Sequence, residues 1–139
     1  MTLRGRCHCG NLSFTLEWTP SPTEIPARAC TCSFCTRIGA VWTACPTGAL
    51  VIAVRDAARL SRYAFGTRTA DFHVCRACGG VPVVTSAIDG RLYAVVNVNS
   101  FDGVDPALIR RAPVTFDDES ADARLDRRRR HWIRDVTYA

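Results

Sequence analysis

Cys30-Thr31-Cys32-Ser33-Phe34-Cys35 is the stretch on which the reading of this chain turns. Two further cysteine pairs flank it, Cys7-His8-Cys9-Gly10 upstream and Cys75-Arg76-Ala77-Cys78-Gly79-Gly80 downstream, and Cys45 stands alone. In an extended segment residues i and i+2 face the same side, so a C-x-C pair offers two thiolates to one ion. A C-x-x-C pair does the same around a tight turn, and the glycines after Cys78 permit the positive φ that such a turn uses. Each cluster is built to chelate.

The rest of the composition sets the context for those thiols. A length of 139 residues is near the commonest domain size, so one domain over residues 1–139 is expected. With 47% hydrophobic and 22% charged residues, and no apolar run approaching the ~20 residues of a membrane span, a soluble globular protein is expected and a membrane partner is not. The opening Met1-Thr2-Leu3-Arg4-Gly5-Arg6 lacks the apolar stretch of a secretory signal, which points to the cytoplasm. A reducing cytoplasm keeps thiols free, so the eight cysteines read as metal ligands rather than disulfides.

Seven clustered thiols divide as four plus three, and zinc uses both numbers. Closed four-thiolate sites hold folds together, whereas three-ligand sites keep a position for substrate or water. Cys7, Cys9, Cys75 and Cys78 are expected to make one closed site, and Cys30, Cys32 and Cys35 an open one. Binding two zinc ions through seven thiolates takes the formal charge from +5 to about +2, so the basic pI overstates any attraction to nucleic acid. Cys45 has two readings. It ends Val41-Trp42-Thr43-Ala44-Cys45, a half-buried strand pattern, and is expected as a buried thiol; as a fourth ligand it would close the second site.

Hydrophobic patterning places these clusters on a mostly β framework. Leu12, Phe14 and Leu16 alternate with Ser13, Thr15 and Glu17, a strand with one solvated face. A loop carrying Pro20, Pro22 and Pro26 leads to the triple-cysteine stretch, and Ser33–Gly39 has room for one helical turn. Short strands are expected at 41–45, 50–54, 60–65, 71–75, 81–88 and 91–98, with turn signals between nearly all of them. Asp105-Pro106-Ala107-Leu108-Ile109-Arg110 reads as a short helix capped by Asp105, and the charged stretch 115–134 as a helix with a solvated face whose end at His131-Trp132 frays.

The order C-x-C-G, C-x-C-x-x-C, C-x-x-C-G resembles the glutathione-dependent formaldehyde-activating (GFA) family, which includes the centromere protein V type domains. The match lies in Arg6-Cys7-His8-Cys9-Gly10, Cys30 to Arg37 and Cys75 to Gly79, with Val96 to Asp102 resembling the strand that follows in the family. It spans roughly residues 4–105, leaving 106–139 as a C-terminal extension. The resemblance implies an Mss4-like fold of small antiparallel sheets, a structural zinc on Cys7, Cys9, Cys75 and Cys78, and a catalytic zinc on Cys30, Cys32 and Cys35. It implies addition of glutathione to formaldehyde, giving S-hydroxymethylglutathione, and so a carbon–sulfur lyase or its reverse. One departure is Thr31, where many members carry histidine, so a proton transfer through that histidine has no counterpart here.

A three-thiolate zinc is soft and electron-rich. It acidifies water less than a neutral three-histidine zinc and suits an incoming thiol held beside a carbonyl carbon. All basic residues other than histidine are arginine, so imine chemistry on lysine is excluded. The expected partners are a small thiol such as glutathione and a small aldehyde. Arginine forks suit the two glutathione carboxylates, and Arg28, Arg37, Arg62, Arg68 and Arg76 lie near the clusters in sequence. His8 is read outside the ligand shell. His73 shares a face with Cys75, either as a proton carrier beside that site or as a hydrogen-bonded strand histidine. The alternative function is a non-catalytic zinc-stabilised module that binds a protein or nucleic acid, for which Arg127 to Arg130 would argue; the acids just upstream favour a self-paired helix face, and a nucleic-acid partner is not expected. Whether the chain pairs with a copy of itself is left open.

Overall fold

The computed structural model describes residues 1–139 and contains two β-sheets, built from short strands as the turn-rich sequence leads one to expect. β1 (Thr2–Arg6) and β2 (Leu12–Glu17) form an antiparallel hairpin, and β2 pairs on its other side with β5 (Ala49–Val54). The alternation in β2 is as read: Leu12, Phe14 and Leu16 are buried while Glu17 is exposed. β10 (Phe101–Asp102) and β12 (Asp135–Tyr138) complete this five-stranded sheet at its two edges.

The second sheet holds seven strands. In spatial order they are β11 (Ile109–Val114), β3 (Ile25–Cys30), β4 (Trp42–Thr43), β9 (Arg91–Asn97), β8 (Val83–Ile88), β7 (Asp71–Cys75) and β6 (Leu60–Tyr63). Most neighbours are antiparallel, but β11 runs parallel to β3 and β12 parallel to β5. The side chains between the sheets make one main core that includes Leu16, Ile25, Leu50, Ile52, Val96 and Ile133. No helix is long and apolar enough to cross a membrane.

Three local expectations are corrected. Residues 25–30, read as part of a proline loop, form β3. Ile25 and Ala27 are buried there while Pro26 is exposed, and the weak β preference of alanine and proline hid a genuine period of two. The short helix at 105–110 is only a 3-10 turn over Pro106–Leu108, whose Ala107 N–H donates to the Asp105 side chain at 2.9 Å; Ile109 already belongs to β11. The chain end does not fray. α2 (Ala121–His131) starts at a Ser120 cap, and beyond it Trp132 and Ile133 are buried, with Ile133 exchanging backbone hydrogen bonds with Ala94 in β9 before β12 begins. Two buried apolar residues just after His131 anchor the end of the helix.

Candidate metal centres

The hairpin loop between β1 and β2 carries Cys7 and Cys9; Cys75 ends β7 and Cys78 lies in the turn that follows it. Their four Sγ atoms all lie within 4.8 Å of one another. Cys7 and Cys9 are 3.8 Å apart and Cys9 and Cys75 3.5 Å. Zinc–thiolate bonds of about 2.3 Å in a tetrahedron place sulfurs about 3.8 Å apart, so this donor set fits the ion, and soft thiolates select it or an iron–sulfur centre over hard cations. The turn reaches its partner because residue 80 has no side chain: a Cβ at Gly80 would sit 2.8 Å from Cys7 Cβ. Burial pushes the Cys7 thiol up to about 11. For Cys78 burial acts upward too, but the backbone N–H groups of Cys9 and Gly80, together with hydrogen bonds from Cys75 and Cys7, bring the thiol down to about 6.

The second group forms where β3 runs into a helical turn. Cys30 ends β3, Cys32 caps α1 (Ser33–Ile38), and Cys35 sits inside it. The Cys32 sulfur accepts the Cys35 N–H at 3.3 Å, and the three thiols lie within 4.8 Å of one another; Gly39 ends the helix with φ 64°. A hydrogen bond with Cys35 holds Cys30 down at about 6, while the same bond and burial push Cys35 well up. The indole Nε1–H of Trp42 donates to Cys35 Sγ at 3.3 Å and opposes that rise. Here too the donor set fits zinc, with a smaller number of protein ligands.

The remaining candidates fall elsewhere. Cys45 is buried outside both groups, its sulfur 3.6 Å from the Thr19 carbonyl and from Thr47 Oγ1. His8 is exposed. His73 is buried, its Nδ1 3.1 Å from the Asp71 carbonyl oxygen and its Nε2 2.7 Å from the Tyr138 hydroxyl, the pattern of a hydrogen-bonded strand histidine. Burial lowers its pKa.

A cavity of about 270 Å³ adjoins the three-thiol group, and Cys30, Cys32 and Cys35 form part of its wall. Of the five arginines singled out from sequence only Arg28 lines it. Arg37 donates to the Ser33 carbonyl and Arg76 to the Ala58 carbonyl, both on the surface, and neither Arg62 nor Arg68 reaches the cavity. The other arginines come from α2: Arg124, Arg127 and Arg128, with Trp132 below them. Their spacing of i, i+3, i+4 and i+8 is one helical face, a signal present in the sequence. Arg127 donates twice to Glu119, at 2.8 and 3.1 Å, and stacks on Phe116 with its guanidinium carbon 3.6 Å from the ring centre. Burial, with Arg127 and Arg124 nearby, lowers the Arg128 guanidinium to about 10. Asp117 is the carboxylate on the wall.

Comparison with known proteins agrees with this architecture. The family model described as glutathione-dependent formaldehyde-activating enzyme matches residues 2–114. A Rhodobacter sphaeroides protein of known crystal structure is similar to this chain, with a TM-score of 0.55 and 35% sequence identity, over 75% of this chain and 92% of that one. No curated protein matches. The cysteine pattern, the two thiol groups it brings together and a family match over most of the chain lead to one conclusion: the chain belongs to the glutathione-dependent formaldehyde-activating enzyme family.

Proposed function

We propose that this protein is a zinc-dependent carbon–sulfur lyase, or the corresponding synthase, acting on the adduct of a small thiol with a small aldehyde, as in S-hydroxymethylglutathione. Of its two zinc sites, the one on Cys7, Cys9, Cys75 and Cys78 is structural and the one on Cys30, Cys32 and Cys35 catalytic. The observation that carries the reading is the contrast between the groups. The four-thiol group is complete in ligands and ties two loops together, whereas the three-thiol group opens on a cavity.

In the synthetic direction the thiol sulfur bonds to the carbonyl carbon, and the thiol proton ends on the carbonyl oxygen. No electrons leave the pair, so no redox partner is required. A zinc ion on the three thiols supplies a soft electrophilic position where a thiolate is stable at neutral pH. The protein's own groups do the rest. Trp42 fixes Cys35, so the ligand geometry is set before substrate arrives. Phe65 and Phe72 on the cavity wall keep water from the reacting pair. Asp117, on the cavity wall and close enough to raise the Cys30 pKa, is the carboxylate that carries the proton from sulfur to oxygen, a task the neutral Thr31 cannot take.

The placement of Arg127 to Arg130 favours a small-molecule site over a phosphate-backbone surface. Arg127 is bound to Glu119, Arg128 is buried, and Arg129 pairs with Asp89 and Asp126. The test is exchange between glutathione, formaldehyde and their adduct, followed by NMR on zinc-loaded protein. Acceleration by the wild type but not by Cys32→Ser is expected. Equal rates with and without the wild-type protein would refute the proposed reaction.

A further inference from the structure

Two arginines at the cavity are left without a carboxylate. Neither Arg28 nor Arg128 takes part in an ion pair, whereas Arg124 and Arg127 share Glu119. Arg128 is 6% exposed, and one of its amino groups, Nη1, donates to Thr69 Oγ1 at 2.7 Å and Ser86 Oγ at 3.1 Å. Its Nε is buried with no hydrogen-bond partner at all. A buried guanidinium held rigidly by two hydroxyls, with no carboxylate paired to it and Arg127 and Arg124 nearby, is costly to the free protein and leaves positive charge on the cavity wall that an incoming anion offsets.

The rest of the wall selects what accompanies that anion. Phe65 and Phe72 stack with ring centres 5.4 Å apart and an interplanar angle of 28°, and Phe34 packs against both, at 5.3 and 4.8 Å. Trp132 lies under Arg128, its ring centre 5.0 Å from the guanidinium carbon, and also lines the cavity. Glutathione is polar along its whole length, and the ring-lined part of the wall at Phe65 and Phe72 offers its amides no hydrogen-bond partner. A flat apolar group fits it without unsatisfied polar atoms. Arg124, Arg127, Arg128 and Trp132 all lie beyond residue 114, where the family match ends, so the chain's own C-terminal helix supplies this chemistry.

We propose that the cavity takes a small carboxylate with an aromatic body, its carboxylate held by Arg28 and Arg128, its ring against Phe65 and Phe72, and its thiol or thiol-derived end at Cys30, Cys32 and Cys35. The assignment of a carbon–sulfur adduct to that end rests on the function proposed above; the anion and ring subsites rest on the cavity itself.

The probe is hydrocinnamate, which has the carboxylate and ring but no sulfur, titrated into zinc-loaded protein by calorimetry beside its neutral analogue hydrocinnamyl alcohol. Binding of the acid at least about tenfold tighter than the alcohol is expected, the discrimination one charged contact supplies. Arg128→Met and Arg28→Met are each expected to reduce acid binding about tenfold with zinc content unchanged. If Arg128→Met does not fold, Arg28→Met on the half-buried β3 residue decides. No binding of the acid, equal binding of the two, or variants that bind as the wild type does would overturn the proposal.

A second arm follows formaldehyde exchange with glutathione and with α-mercaptohydrocinnamate. Greater acceleration for the aryl thiol acid is expected. Hydrocinnamate binding without acceleration for either thiol would remove the carbon–sulfur reaction and support the ligand class. Acceleration for glutathione without hydrocinnamate binding would do the opposite.

Discussion

The indole Nε1–H of Trp42 donates to Sγ of Cys35 at 3.3 Å, joining a core residue of β4 to the buried member of the three-thiol group. A hydrogen bond to a thiolate stabilises its charged form, and such supporting contacts are worth about 10–100-fold in metal affinity. Trp42→Phe keeps the ring and removes the donor. It is expected to weaken metal retention at the three-thiol group within that range and to leave the four-thiol group unchanged, as read by competition with a chromophoric chelator. Equal retention at both groups would show that the bond carries no such weight.

Gly80 controls the other group. A methyl there meets Cys7 Cβ at 2.8 Å, and the backbone on both sides is held by the β7–β8 turn, so Gly80→Ala must push the two loops apart. Overpacking of this kind costs about 1–3 kcal/mol. A lower melting temperature and loss of zinc from the four-thiol group are expected, with the three-thiol group still loaded. Both are read from a thermal melt and metal analysis of the same sample.

Cys45→Ser separates the two readings of the lone cysteine. Its sulfur faces the Thr19 carbonyl and the Thr47 hydroxyl, both of which a serine hydroxyl can serve. The variant is expected to retain the full wild-type metal content. A loss of one metal ion per chain would make Cys45 a ligand.

Glu119 gives a pH dependence with a defined sign. Burial acts to raise its carboxyl pKa, and hydrogen bonds and charge from Arg127, then Arg124, bring it below the ordinary 4.5. A carboxylate with a depressed pKa contributes stability that is present above its unfolded value and is lost as pH falls through its folded one. The stability difference between wild type and Glu119→Gln in chemical denaturation is therefore expected to be largest above about pH 4.5 and to shrink at more acid pH. A difference that does not change with pH would show that the pair is worth nothing as an ion pair.

How much of this was legible depended on whether the signal was local. The local thiol pairs followed from spacing, because C-x-C and C-x-x-C fix which sulfurs share a side; joining Cys7 and Cys9 to Cys75 and Cys78 took the four-plus-three count, and the structure gathers the same two groups. β2 was legible because Leu12, Phe14 and Leu16 are strongly apolar, whereas the alternation in β3 was disguised by Pro26 and two alanines. The cavity arginines were legible only as a run. Arg124, Arg127 and Arg128 share a face with Trp132, but which sheet that face meets depends on the Ile133–Ala94 bridge and the parallel pairing of β12 with β5. Those pairings join residues far apart in sequence, and no local pattern encodes them.

Under the proposed function the two thiol groups differ in kind, one closed and one open. Zinc per chain, measured on reduced protein before and after a mild chelator that leaves the secondary structure intact, tests that difference most directly. Two zinc ions falling to one, with Cys32→Ser holding one from the start, is the predicted result. Two ions that resist the chelator equally would contradict it, making both sites closed and removing the position at which a substrate thiol could bind.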